Sequence, residues 1–320
     1  MRVLVTGATG FVGQRLVPVL RTRGHWVRVA LRNARVGRPD ADDAVVVGNL
    51  GPSTDWSAAV AGMDAVIHLA ARVHVMRDEA ADPLSEFRRV NVECTGSLAR
   101  AAAAAQVRRL VFVSSIKVNG EATHGRPFTV GDDPDPQDPY GVSKSEAESL
   151  LRVVEQDLGL EVVVVRPPLV YGPGVKANFM RLMKLSVRGF PLPLAAIDNR
   201  RSMVFVGNLA EALATCIEHP AAGGRTFLVS DGDDLSTPEL VRRLAAASGS
   251  RARLFPVPSG LLRLFATLLG RGAEIDRLVG SLVVDDSSIR DLLGWRPPYS
   301  VDAGLRETVA TAGVARRGTP

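Results

Sequence analysis

The opening residues constrain the fold more than any other stretch. An apolar run, residues 2–6, passes directly into the turn T-G-A-T-G-F-V-G, which sets Gly7, Gly10 and Gly13 around the start of a helical segment near Phe11. Glycine accepts the backbone angles of a tight turn and lets a pyrophosphate approach the chain, whose helix-terminal amides then meet its charge. A glycine turn alone is weak evidence. Here it follows a strand, and further valine-rich runs recur at 27–31, 44–47, 65–69, 110–113 and 161–166, with helical sequence between them. Strands so continuously apolar suit a parallel sheet covered on both faces, and their alternation with helices implies right-handed βαβ units. The expected class is α/β: a Rossmann doubly wound parallel sheet with a smaller C-terminal substrate-binding lobe.

The texture changes after Arg166, where prolines and glycines crowd P-P-L-V-Y-G-P-G. Residues 1–170 are therefore expected to form the dinucleotide-binding domain, with later returns near 203–230. Residues 171–320 are expected to form mainly the substrate lobe, assembled from separate segments. The run T-F-L-V-S-D near residue 228 reads as one more strand, and the alanines at 101–105 read as helix.

Composition excludes several classes. A chain of 320 residues, 46% hydrophobic and 23% charged, is that of a packed globular protein. Its net charge is +5, but four lysines stand against 35 arginines, scattered among acids without a basic run. Nucleic acid is therefore not expected as a partner, whereas an anionic small molecule is. Cys94 and Cys216 have neither a C-x-x-C nor a metal-ligand spacing, so they read as buried free thiols, with no metal site. No signal peptide precedes the first strand, which makes the cytoplasm the expected location. The apolar stretch 261–269 is too short to span a bilayer. The wider segment 259–272 could dock on a membrane or a partner, but is expected instead to pack as a helix on the lobe or on a homodimer face, without stable membrane insertion.

Two motifs carry the chemistry. In P-Y-G-V-S-K, Tyr140 and Lys144 stand four apart at the start of a helix and share one face. An ammonium beside a phenol favours the phenolate, so Tyr140 is expected to be acidified into the range of a general acid or base. In L-V-F-V-S-S-I-K, a buried-looking strand ends in Ser114 and Ser115 at the edge where α/β ligands bind, and Ser115 can hold a substrate oxygen. The second strand ends in Leu31 and Arg32, where an NAD enzyme carries a carboxylate for the ribose hydroxyls. Arg32 is placed to meet a 2′-phosphate, which favours NADP(H) over NAD(H); the alternative is an ordinary surface arginine.

Together these motifs resemble the extended short-chain dehydrogenase/reductase superfamily, in its nucleotide-sugar epimerase, dehydratase and reductase branch. The likeness continues through H-L-A-A at 68–71, Asn91 in R-V-N-V-E-C-T-G, R-P-P-L-V-Y-G-P-G, R-S-M-V-F-V-G-N-L-A-E-A-L and L-G-W-R-P. It implies Ser115, Tyr140 and Lys144 as the catalytic set, with Lys144 also on the nicotinamide ribose. It further implies a cofactor surrounded by Phe11, Val12, Asn49, Leu50, Leu69, Ala70, Ala71, Asn91, Ser114 and Pro167. For a nucleotide-diphosphate substrate it points to Asn178 and Arg201, with Arg277 as a second clamp and His74 and Lys117 at the sugar.

Within the branch, the stretches 72–78, 114–121 and 280–287 resemble reductases of UDP-4-keto-6-deoxy-N-acetylhexosamines in surface-polysaccharide pathways. The 4,6-dehydratases carry Asp-Glu where this chain has Ile116 and Lys117, and Leu169 stands where 4-epimerases carry a sugar-facing Asn. The expected reaction is therefore NAD(P)H-dependent reduction of a 4-keto group on a UDP-type sugar. A UDP-hexose 4-epimerase with retained NAD is the nearest alternative, and a non-catalytic dinucleotide-binding redox sensor is the alternative of another class. Reduction of a steroid-like ketone is disfavoured by Asn178 and Arg201, since an apolar substrate needs no diphosphate clamp.

Overall fold

In a computed structural model, which describes residues 1–34, 37, 39–73, 82–268, 270 and 272–312, the valine-rich runs become neighbouring strands. The chain runs β1 (Arg2–Thr6), α1 (Phe11–Thr22), β2 (Trp26–Leu31), β3 (Asp43–Val46), α2 (Ser57–Val60), β4 (Ala65–His68) and α3 (Pro83–Arg88). A π-turn over Arg89–Glu93 leads into α4 (Cys94–Ala104), β5 (Arg109–Val113), α5 (Pro139–Leu158), β6 (Glu161–Arg166) and β7 (Leu169–Tyr171). Then follow α6 (Ala177–Val187), β8 (Pro191–Leu192), β9 (Met203–Phe205), α7 (Val206–Glu218), β10 (Thr226–Leu228), α8 (Thr237–Ala247) and β11 (Arg253–Leu254). The last elements are α9 (Ser259–Leu268), α10 (Gly272–Val279), α11 (Ser287–Leu293) and α12 (Val301–Thr311).

Seven strands form one parallel sheet in the order β10-β6-β5-β4-β1-β2-β3. This is the Rossmann order, reversing between β1 and β4. Alternate residues of each strand enter opposite apolar layers. Val3, Val5, Val27 and Ile67 pack under α1 and α7, while Leu4, Val66, Leu110 and Phe112 pack under α4 and α5. Both faces are buried, which is why the strands read as unbroken valine runs. Cys216 and Cys94 are free and buried, one in each layer.

The lobe is built from separated segments. β7 pairs with β9 and β8 with β11, two short sheets that the sequence did not suggest. Arg201 bridges both Leu235 and Leu282, tying three distant stretches together. A third core, with Tyr171, Phe179, Phe205, Leu244 and Leu305, joins α6, α8 and α12, and Phe11 and Val12 of α1 pack against it. The segment 259–272 contains α9, as a helix was expected there, and the lobe covers it in part. Leu262 packs on the lobe, but Leu261, Leu264, Phe265 and Leu268 are exposed. Among the described residues, no helix is long and apolar enough to cross a membrane.

Candidate functional site

The carboxyl ends of β1, β2 and β4 meet where the strand order reverses, the usual ligand crevice of an open α/β sheet. Gly7, at φ +68°, turns the chain out of β1, and a Cβ there would lie 2.8 Å from the Ala70 nitrogen. A Cβ on Gly13 would lie 2.4 Å from the Gly7 oxygen, so the first turn of α1 presses directly on the loop. Gly10 caps that helix, with neither a capping side chain nor an acidic residue in the first turn. The positive end of α1, at Phe11 and Val12, is left for an anion.

Beside the turn lies a cavity of about 310 Å³ between the end of β2, with exposed Arg32, and the loop after β3, with Gly48 and Leu50. Ala70 and Trp56 also line it; Asn49 stands between two lining residues without lining it itself. Leu69 packs on the core beneath, and half-buried Ala71 follows. Glycine cradle, uncapped helix end and cavity fit a dinucleotide, since small-molecule sites run from about 300 to 1,000 Å³.

The catalytic candidates converge at the start of α5. Asp138 caps the helix by accepting from the Gly141 amide at 2.7 Å, and Pro139 occupies the first turn, where no amide is required. Tyr140 follows, half-buried and edge-on to Phe87 at 6.2 Å, and its phenol shares a hydrogen bond with Ser115 at the end of β5. Lys144, one turn on, is buried with Nζ 4.0 Å from the centre of the Phe112 ring. Burial pulls Lys144 down to about 7 against the pull of Glu148. Tyr140 is pushed up to about 12 by burial and then by the Asp138 carboxylate, with the Ser115 hydrogen bond opposing. The expected acidification of the phenol by Lys144 is thus absent. Desolvation outweighs it, and the charge that acts on the phenol is an anion.

Two buried networks hold this set; Ser114 and Asn91 were expected at the cofactor, whereas Glu148, Arg166, Asn119, Thr6, Thr95 and Ser143 escaped the sequence reading. Ser114 turns away from Ser115 and donates to Glu148 in a short hydrogen bond. Glu148 also receives Arg166 Nε at 3.0 Å and Nη2 at 2.5 Å, while Arg166 Nη1 donates to Asn119 at 2.9 Å. Glu148 lies four residues after Lys144, so the pair stands under the catalytic face. The available signal was an arginine ending a strand of valines. Pro167, next in the chain, accepts the Ile116 amide at 3.0 Å and so fixes the turn after Ser115.

The second network runs through His68. Thr95 donates to the Asn91 carbonyl at 2.7 Å, so it can only accept from His68 Nε2 at 3.0 Å. Nδ1 is then the acceptor of the Thr6 hydroxyl at 2.6 Å, and Thr6 accepts the Ala70 amide at 3.2 Å. His68 is neutral, driven down to about 3 by burial and then by Lys144. Asn91 clasps the Arg72 amide at 2.8 Å and its carbonyl at 3.0 Å, and donates to Ser143 at 2.9 Å. Ser143 donates to the Tyr140 carbonyl at 2.8 Å. Asn91, in the π-turn, thereby joins the glycine-turn strand to the catalytic helix as a positioning residue.

On the lobe side, Lys117 bonds Glu121 at 2.6 Å and Asp138 more closely still. The lysine expected at the sugar is held by two carboxylates, one of which caps α5. Arg201 Nη1 donates to the Arg277 carbonyl at 2.6 Å and the Gly280 carbonyl at 2.9 Å. Burial lowers the Arg201 pKa, Glu121 opposes, and nearby Arg277 adds to the lowering, so the two arginines converge. Asn178 is exposed in the first turn of α6, which has no side-chain cap and begins at Ala177 with φ +55°. His74 lies outside the described residues.

A protein of Vibrio cholerae named UDP-glucose 4-epimerase is 45% identical over 311 residues, covering 96% of this chain and 94% of its own. A 2-alkyl-3-oxoalkanoate reductase of Stenotrophomonas maltophilia (strain K279a) is 31% identical over 335 residues, covering 98% and 99%. Among solved structures, MoeE5 in complex with UDP-glucuronic acid and NAD is similar at a TM-score of 0.76 and 26% identity, covering 97% and 98%. Residues 3–230 match the NAD dependent epimerase/dehydratase family, and the chain belongs to that family.

Proposed function

We propose that the protein interconverts the C4 epimers of a UDP-hexose while retaining its NAD. The sequence alone ranked a 4-keto reductase first. The observation that reverses the order is the likeness to a UDP-glucose 4-epimerase along 96% of the chain.

Bound NAD supplies a reversible acceptor for the hydrogen on the sugar's C4. The glycine turn and the N-terminus of α1 hold its pyrophosphate, the cavity beside Arg32 its adenosine, and Lys144 its nicotinamide ribose. Tyr140 Oη takes the proton of the C4 hydroxyl as that carbon becomes a ketone, and returns it once the C–H bond has re-formed on the other face. Ser115 holds the same oxygen. With the phenol near 12 and the amine near 7, Tyr140 holds its proton at neutral pH, and only a protonated Lys144 favours the phenolate. Lys117 offsets Asp138, the carboxylate that otherwise resists the phenolate. The planar forks of Arg201 and Arg277 suit two phosphate oxygens each.

One observation favours a second reading. The end of β2 carries no carboxylate, and Arg32 lines the adenosine cavity, as a reductase using NADP(H) requires. Both readings are tested by denaturing the purified protein, identifying the released dinucleotide by mass spectrometry, and following UDP-glucose for conversion at C4. Near-stoichiometric NAD with C4 conversion supports the epimerase. An empty site, or NADP(H) that exchanges freely, with no conversion supports the reductase.

A further inference from the structure

Helix α9 carries Leu261, Leu264, Phe265 and Leu268 at i, i+3, i+4 and i+7, a spacing that gathers them on one face. Such a stripe ordinarily turns to the core, but these side chains are 46%, 56%, 60% and 74% exposed. Among the described residues of the helix, Leu262 beside the stripe packs on Leu192, Leu194 and Ile197. Two more rings are exposed at the paired strands that precede the helix in the chain, Phe190 before β8 and Phe255 after its partner strand β11.

The surrounding charge identifies what covers this face. Residues 251–271 contain Arg251, Arg253, Arg263 and Arg271 and no Asp or Glu. Arg251, Arg253 and Arg188 are exposed next to the two phenylalanines. Arg263 reaches Asp276 at 3.1 Å. In a two-fold contact between copies, this cationic rim would meet itself. An anionic bilayer answers both features, with acyl chains for the leucines and phenylalanines and phosphates for the arginines. We propose that α9 docks the protein on an anionic lipid surface. At ten residues the helix lies along the interface and does not cross it. α10, which follows, carries Arg277 and gives its carbonyl to Arg201, so docking sets the diphosphate arginines one helix away from the lipid.

The test is co-sedimentation of the full chain with vesicles of phosphatidylglycerol and phosphatidylcholine, and with phosphatidylcholine alone. Binding is expected only to the anionic vesicles and should weaken with salt. The double change Leu264→Ser and Phe265→Ser should lower partitioning by at least about tenfold, with an unchanged thermal melt because both side chains are exposed. Arg251→Gln with Arg253→Gln should weaken binding in the same direction. The proposal is overturned if the wild type stays in the supernatant with both vesicle types, or if the serine variant binds as the wild type does. It is also overturned if sedimentation velocity shows a dimer that the serine variant splits, which would assign the face to a second copy.

Discussion

Glu148–Arg166 lies at 2.5 Å beneath Ser114, its side chains 10% and 8% exposed, while Arg263–Asp276 lies at 3.1 Å on the lobe, 54% and 63% exposed. The two pairs share one chemistry and opposite surroundings. Inside, both side chains are buried, and each charge is compensated by a second hydrogen bond, to Ser114 or Asn119. On the lobe, water screens both charges and the side chains give up rotamer freedom to meet. The contrast extends to apolar groups: the valines of β1, β2, β4 and β6 are fully buried, while the stripe of α9 is turned outward. The sheet end is built to hold atoms still, and the lobe edge to meet something else.

Changes at matched positions in the two regions test this contrast. The largest effect is expected at Tyr140. Tyr140→Phe keeps the ring against Phe87 but removes the proton carrier, so kcat should fall by roughly 10²–10⁴ with the dinucleotide still bound. Leu264→Ser on α9 should leave turnover of a soluble UDP-sugar unchanged. Steady-state kinetics beside quantification of bound dinucleotide distinguish the two. Comparable losses from both changes would remove the functional distinction between the regions.

Next in size is the difference between the ion pairs. Glu148→Ala strands the Arg166 guanidinium in a dry site and should cost about 3–5 kcal/mol in urea unfolding. Asp276→Ala, at the surface pair, should cost less than about 1 kcal/mol. Equal costs would mean that the inner pair is reached by water.

The same contrast separates what was legible in the sequence from what was not. The strands were readable because both faces of the sheet are buried, and the observed bounds differ from the expected ones by about a residue. The glycine turn and the spacing of Tyr140 and Lys144 were readable because they are local. Glu148, Arg166, Thr6 and Thr95 were not, because each matters through a partner at least 18 residues away in the chain, and only the sheet brings them together. The pKa of Tyr140 was misjudged for a related reason. Spacing gives the neighbouring ammonium, but it cannot give the desolvation that outweighs it or the cap carboxylate that adds to it. In the lobe, the short sheets are held by bridges such as Arg201 to Leu235 and Leu282, which leave no periodic trace.

The smallest effect concerns His68, and it follows from the sign of a titration. The imidazole falls from 6.5 to about 3 in the fold, chiefly through burial. Below 6.5 the unfolded chain takes up a proton that the folded one refuses, so this stability is fully present above that pH and is lost as pH falls toward 3. Lys144 follows the same rule higher up: its drop from 10.5 to about 7 drains stability over that interval and is level below it. The two windows barely overlap, so His68 can be isolated. His68→Gln retains a donor and an acceptor without the titration, and at neutral pH it should be less stable by about 1 kcal/mol for an imperfect hydrogen bond. Down to about pH 5 that deficit should shrink and reverse, by on the order of 2 kcal/mol in all, because only the wild type loses the histidine contribution. Thermal melts of both proteins across this range measure the difference directly, and effects of the shared carboxylates cancel in it. A constant gap would mean that His68 takes up its proton in the fold as it does in the unfolded chain; Nδ1 would then donate to Thr6, reversing that one bond and leaving Nε2 to Thr95 and Thr95 to the Asn91 carbonyl as they are.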